Sequence, residues 1–394
     1  MKLKWAYSLV LIPFLGHAIS FNELTKRASE VSEQIIESNG RANAIDFEKA
    51  SALAGDPLSI ETSARKIKAD NTNDSGTEYG FMLDYAFKLP SFQSAKSNEF
   101  DVQKKGIEYE TYTRKGLLQV ALKRGWLLYQ LEYQRSLILS EKRDFSYQAF
   151  QIGEKKFKAG RLSQLELLRL ENEYQSTLQE LAAVSMEAEH AKHYLKEAVM
   201  SDQEVIVDDL NFAFISSVAL EERLKKAPLL KSLDLRIDGL NAQIATLQHS
   251  KVESFSVGVG MTQEPIQNSW DVRLTIPLAI SSKNENKIAA LMSERSALVN
   301  VRDVIRQKLE LSVQGLFEHL KEREENIKKL ADNEKKYETL FTMAHKGYEG
   351  GVIGQFEYLA SKNAYYDARL RTLQMKQNYI EEMAVIEEKI GEIW

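Results

Sequence analysis

From about Gln93 to Lys158 the chain runs without a proline. At about 1.5 Å per residue such a segment reaches roughly 100 Å, some three times the width of a small domain. Only 6 Pro and 19 Gly punctuate 394 residues, so long unbroken helices are expected, in more quantity than one globule can enclose. The pattern is that of a tube or a rod. The return segment carries an apolar seam: Leu167, Tyr174, Leu181, Ala188 and Leu195 fall seven apart, interleaved with Leu170, Thr177, Val184, Ala191 and Ala198. Small residues on such a seam allow close helix approach. Near the C-terminus a second seam pairs Leu359, Tyr366, Leu373 and Ile380 with Asn363, Leu370, Gln377 and Ala384. Its polar members predict looser, wetter packing.

Ahead of each helical stretch lies a segment with period two. From Thr77 to Leu89 the positions Tyr79, Phe81, Leu83, Tyr85, Phe87 and Leu89 alternate with Glu78, Gly80, Met82, Asp84, Ala86 and Lys88. That is a strand with one apolar and one wet face, and its expected partner is Pro57–Lys68. In the second half Phe255, Val257, Val259 and Met261 alternate with Ser and Gly, and Trp270, Val272, Leu274, Ile276, Leu278 and Ile280 alternate with Asp271, Arg273, Thr275, Pro277 and Ala279. Turn-forming Asp70–Gly76 and Gln263-Glu264-Pro265 join the pairs. About 9–13 residues per strand is the length that crosses a bilayer when tilted. Aromatics near strand ends (Tyr79, Phe87, Trp270) suit a bilayer interface. The charged faces find no complementary layer elsewhere in the sequence, so the apolar faces are expected to meet lipid rather than the inside of a soluble sandwich.

Lys2 and Lys4 precede the apolar run Trp5–Leu15, and small residues follow at 16–20. This reads as a secretory signal peptide over 1–20, cut after Ala18 or Ser20; the run is short for a membrane anchor. Its removal takes the formal charge from −5 to −7. A secreted bacterial chain with no later apolar helix is then periplasmic or an outer-membrane β-barrel. Absent cysteine excludes disulfides, a thiol nucleophile, thiolate metal sites and a lipid-modified cysteine. Mild acidity argues against nucleic acid as a partner.

The chain repeats itself at a spacing of about 191 residues: Phe157-Lys158-Ala159-Gly160 matches Tyr348-Glu349-Gly350-Gly351, and Leu168, Asn172 and Tyr174 match Leu359, Asn363 and Tyr365. The order of elements repeats too. The expected organisation is a first repeat over 21–200 (a helix within 22–55, a strand pair in 57–89, a helical hairpin turning near 160). A connector follows at 201–226, with a short strand at Glu204–Val207. The second repeat occupies 227–394, with a strand pair in 252–280 and a hairpin turning near 351. Gly160 can close a helix in the left-handed conformation, and Ser163 with Glu166 forms an S-x-x-E capping box for the next helix. Gly351, Gly354 and Glu357 occupy the equivalent places.

The segments Phe157–Leu168 and Tyr348–Leu359 resemble the hairpin-tip motif of TolC-like outer-membrane efflux proteins. Ala227-Pro228-Leu229-Leu230 and the strand ending Leu274-Thr275-Ile276-Pro277-Leu278 resemble that family as well, and the likeness covers nearly all of the mature chain. The short strand pair and Ile276-Pro277-Leu278 look closest to the CzcC-like heavy-metal branch, although the missing cysteine leaves no lipid anchor of the kind many of its members carry. The resemblance implies a mainly α protein with membrane β: a homotrimer with four transmembrane strands per protomer, a 12-stranded barrel and a helical periplasmic tunnel. Four strands alone cannot close a barrel whose minimum is about 8, so subunits pool them, and a head-to-tail ring closes at a small number. It also implies passive export of small molecules or metal cations, with a periplasmic adaptor and an inner-membrane transporter of the resistance-nodulation-division type as partners. Adaptor docking falls to Gly160, Ser163, Gly351 and Gly354. Lipid contact falls to Tyr79, Phe81, Leu83, Tyr85, Phe87, Trp270, Val272, Leu274 and Ile276.

Family members narrow their periplasmic entrance at these tips, often with acidic rings, which places Glu357 and Glu166 as candidates. Three copies of Glu357 around an axis would favour cations; with Gly354 before it, Glu357 is equally a plain helix N3 residue near a positive helix end, whereas Glu166, with Ser163 in place, reads first as a cap. Ala360 stands where a second tip acid is often found and Ile353 where an arginine could be, so a tight two-ring gate is not expected. Glu187, His190 and His193 share a helix face at metal-ligand spacing, but a di-iron bundle needs a second Glu-x-x-His, which is absent. No phosphate-binding glycine loop or Ser/His/Asp set is present. An exit duct without catalysis, cofactor or metal is expected; a soluble periplasmic coiled-coil scaffold is the alternative, and a metal-dependent helical enzyme a distant third.

Overall fold

A computed structural model describes residues 20–68, 75–203, 214, 220–264, 267–277 and 282–393. The leader before Ser20, the connector strand Glu204–Val207, most of the turn at 70–76, Pro265, Leu278 and Ile280 lie outside the described residues. In chain order the elements are α1 Phe21–Val31, α2 Glu33–Leu53, β1 Ser59–Lys68, β2 Ser75–Lys88, α3 Pro90–Lys158, α4 Gln164–Ala198, α5 Leu220–Lys225, α6 Pro228–His249, β3 Ser254–Gln263, β4 Asn268–Thr275, α7 Lys283–Glu349 and α8 Gln355–Ile390. α3 spans 69 residues and α7 spans 67, as their freedom from internal proline predicts. Pro90 and Pro228 stand at first helical positions, where a missing N–H costs nothing.

Two compact units emerge, and each draws on both sequence repeats. One holds the sheet with α2, α6 and the adjoining parts of α3 and α7. Its sheet is wholly antiparallel in the order β1-β2-β3-β4. The Leu89 amide donates to the Glu253 carbonyl at 2.9 Å, fastening the exit from β2 to the start of β3. Among the helices of this unit Arg302 reaches Asp234 at 2.7 Å, and the buried Ser38 and Thr111 hydroxyls share a 2.7 Å bond.

The other unit holds both hairpins and α1. Leu24 and Ala28 of α1 bury against Leu122, Trp126 and Leu195. The α4 seam is buried or half-buried at all ten positions named above. α8 departs from the expected loose seam, for it buries 15 side chains, including Tyr358, Lys362, Tyr365, Tyr366 and Tyr379. The physical reason is that α8 packs on α3, α4 and α7 together. Leu131, Ile138, Ala149, Leu170, Phe341, Tyr348, Tyr358, Tyr366, Leu373 and Ile380 form one core across these four helices, so two positions per heptad understate its buried face.

Candidate functional site

Two regions stand out: the sheet and the hairpin tips. In the sheet, cross-strand partners share a face. The register pairs Phe81 with Thr62 and Met261, Leu83 with Ile60 and Val259, and Tyr85 with Val257. It continues through Met261↔Trp270, Val259↔Val272 and Val257↔Leu274. Within the strands, the apolar positions read from the sequence therefore fall on one continuous face. The opposite face carries Glu61, Arg65, Glu78, Asp84, Asp271 and Arg273.

Burial is inverted with respect to a soluble sheet. Trp270 and Val272 are 75% and 79% exposed, and Tyr79, Phe81, Tyr85 and Phe87 are exposed too, whereas Gly258 and Gly260 on the polar face are buried. Curvature explains this. The edge strands β1 and β4 lie three strand spacings apart, about 14 Å on a flat sheet, yet Arg273 Nη1 lies 3.4 Å from Glu61 Oε2. These side chains close over the polar face, which is concave, and the apolar face is convex. Crowding on the concave side favours glycine most at Gly260, where a Cβ would lie 2.8 Å from the Phe81 backbone carbonyl oxygen. Near the helical end of the convex face, Phe87 stacks on Phe255 with centroids 5.4 Å apart and meets Tyr85 edge-on at 4.7 Å, an aromatic cluster of the kind found at bilayer interfaces. Ile276 lies beyond β4, which ends at Thr275: Pro277 has no N–H to continue a ladder and restricts the residue before it. Ile276 thus has no place on the strand face to which it was assigned.

The two tips share one construction. Gly160 and Gly351 have φ of +68° and +75°. The amides of Gly160 and Arg161 donate to Phe157 and Lys156 carbonyls at 2.9 and 2.8 Å, and those of Gly351 and Val352 to Tyr348 and Gly347 at 3.2 and 2.8 Å. Both are Schellman closures, 191 residues apart. Ser163 and Gly354 then serve as the N-caps of α4 and α8.

The caps themselves differ. Ser163 and Glu166 make the full capping box: Oγ accepts from the Glu166 amide at 3.3 Å, and Glu166 Oε2 accepts from the Ser163 amide at 2.9 Å and its hydroxyl at 2.7 Å. These bonds, the backbone one foremost, hold the Glu166 carboxyl below its ordinary range. Gly354 offers no side chain, and Glu357 is exposed with no hydrogen-bond or ion-pair partner among the described residues. The tips touch where Gln355 Nε2 donates to the Glu166 carbonyl at 2.7 Å and the Lys156 ammonium sits 4.0 Å over the Tyr348 ring.

Above the tips lies a polar set that the sequence did not single out. Lys362 is wholly buried, with Nζ 2.7 Å from Ser146 Oγ and 2.9 Å from Glu173 Oε1. Burial pulls its pKa down, with the Glu173 carboxylate opposing. Arg369 reaches Glu141 at 2.5 Å, and Lys123 reaches the buried Glu387 at 2.6 Å. These pairs tie α8 to α3 and α4. Lys362 lies 189 residues from Glu173, and no local pattern announces such a contact. Glu187, His190 and His193 are all exposed. No group of three metal-capable side chains occurs among the described residues, and no described helix is long and apolar enough to cross a membrane.

No family model and no curated relative matches this sequence. Solved structures do. The outer-membrane channel OprN aligns at TM-score 0.76 and 14% identity over 95% of this chain and 90% of its own. CusC, described for transmembrane channel formation, aligns at 0.76 and 15% over 95% and 92%. The outer membrane protein VceC of Vibrio cholerae aligns at 0.73 and 12% over 95% and 96%. The chain has the TolC-like fold of outer-membrane channels: mostly helical, with a small antiparallel sheet.

Proposed function

We propose that this chain is the passive outer-membrane exit duct of a tripartite efflux assembly. The observation that carries the reading is the inside-out sheet, apolar on its convex side and charged on its concave side, within a fold otherwise found in outer-membrane channels. In a barrel wall that polarity puts lipid outside and water inside. Strand directions alternate, so β4 of one copy and β1 of the next would pair antiparallel, removing two bare edges. Such a head-to-tail contact generates a ring, and three copies give the 12 strands expected of the TolC-like family.

In this reading Tyr79, Phe81, Leu83, Tyr85, Phe87, Trp270, Val272 and Leu274 face lipid, and the 1–20 leader directs export. The two repeats and their connector build the wall and the periplasmic tunnel. The tips, closed at Gly160 and Gly351 and capped at Ser163 and Gly354, meet a periplasmic adaptor that links the duct to an inner-membrane pump. Glu166 acts as a cap, and the unpaired Glu357 lines the entrance. Conductance block by divalent cations is expected in purified channels and should weaken in Glu357→Gln; block that survives that substitution contradicts the entrance role. The cargo is tested by a complemented deletion strain grown on copper, zinc, cobalt and silver salts beside bile salts and dyes. Sensitivity to metals alone assigns a metal pump, and sensitivity to detergents and dyes a general one. Unchanged growth across the panel would contradict an efflux role.

A further inference from the structure

Val352 and Phe356 are the two most exposed large apolar side chains among the described residues, at 87% and 81%. They stand together on the second hairpin tip, and their support is rigid. Gln355 between them is buried and bonded to the Glu166 carbonyl at 2.7 Å. The buried Tyr358 ring stacks on Tyr348 at 4.6 Å, with Lys156 above it. An apolar pair held in place before contact loses little freedom on docking, and exposed aromatics on a fixed scaffold make effective anchors. The neighbouring first tip exposes Lys155, Lys158 and Arg161, none with an ion pair among the described residues. Cations on the last turn of α3 complement its dipole, but three exposed cations within the seven residues 155–161, one of them past the helix end at Lys158, exceed what one helix end needs.

We infer that the tips form a two-part plug for a protein partner: Val352 and Phe356 fill an apolar socket, and Lys155, Lys158 and Arg161 meet Asp or Glu carboxylates on its edge. This rests on the reading that the tips meet a periplasmic adaptor, and it adds which residues anchor and what surface receives them. An anionic lipid surface fits less well, because Glu349 and Glu357 flank the apolar pair and would be driven toward like charge as it inserted.

The test is photo-cross-linking in living cells with a benzophenone amino acid at Leu165, which is exposed and adjoins Glu166, whose carbonyl Gln355 of the second tip contacts. The cross-linked peptide is then identified by mass spectrometry. The expected product is a peptide of another protein carrying apolar residues together with Asp or Glu. Phe356→Asp, and separately Lys158→Glu with Arg161→Glu, should each cut its yield by about tenfold or more, while Phe356→Leu keeps it. Equal amounts of detergent-extracted protein in every variant exclude misfolding. A peptide from a second copy of this chain, a lipid adduct alone, a peptide without acidic residues, or a yield indifferent to these variants would overturn the inference. Fractionation of the same cells separates the two failures. If the chain stays in the membrane, only the plug falls; if it is soluble, the duct reading falls.

Discussion

Lys362 shows how one residue joins distant parts of the chain and what that costs. A lysine whose folded pKa lies below its ordinary value binds its proton less readily folded than unfolded. Stability therefore rises as pH climbs from that lowered value toward 10.5, and is level at lower pH. Glu173→Gln leaves the ammonium buried beside a neutral amide. We expect a loss of roughly 3 kcal/mol at neutral pH that shrinks near pH 10, read by thermal unfolding of the detergent-solubilised protein. An equal loss at both pH values would mean that Lys362 is already neutral. Glu166 has a dependence of the same sign, but in the acid range. Its depressed carboxyl stabilises the first turn of α4 above the usual carboxylate range, and that contribution vanishes as pH falls through the lower folded value. Ser163→Ala should speed amide exchange over Leu165–Leu167 several-fold, with unchanged exchange at the second tip. The capping box was legible because its four residues are contiguous. The Lys362 cluster was not, because its partners are distant in sequence and its helix looks polar there.

Strands and hairpins were legible where one period governs them. The alternation at 77–89 placed each side chain on its face, since period two leaves no other choice once a strand forms. The strand end was misread at Ile276, where apolar alternation continues but Pro277 ends the ladder. On α8 the heptad picture failed because three helices surround it. Two predictions belong here. Gly260→Val puts a side chain against the Phe81 backbone carbonyl on the concave face and should sharply reduce membrane-inserted protein, whereas Val259→Ala on the convex face should leave it near normal; membrane yield is the measurement. Gly351→Pro removes the amide that donates to Tyr348 and should abolish export while detergent-stable trimers persist. Normal export with this tip would contradict docking there.

At the scale of the molecule, four strands that expose their apolar side are an unfinished wall. Their convex face has no covering layer among the described residues, and in water it would form an aggregating patch. Lipid on that face and neighbouring strands at β1 and β4 meet both deficits at once, which a soluble scaffold does not. The decisive measurement is fractionation of cells producing the native chain. An outer-membrane duct remains with the outer membrane through osmotic shock and alkaline wash and is released only by detergent, as a trimer. Release into the soluble periplasmic fraction by osmotic shock would contradict the membrane wall and the duct built on it.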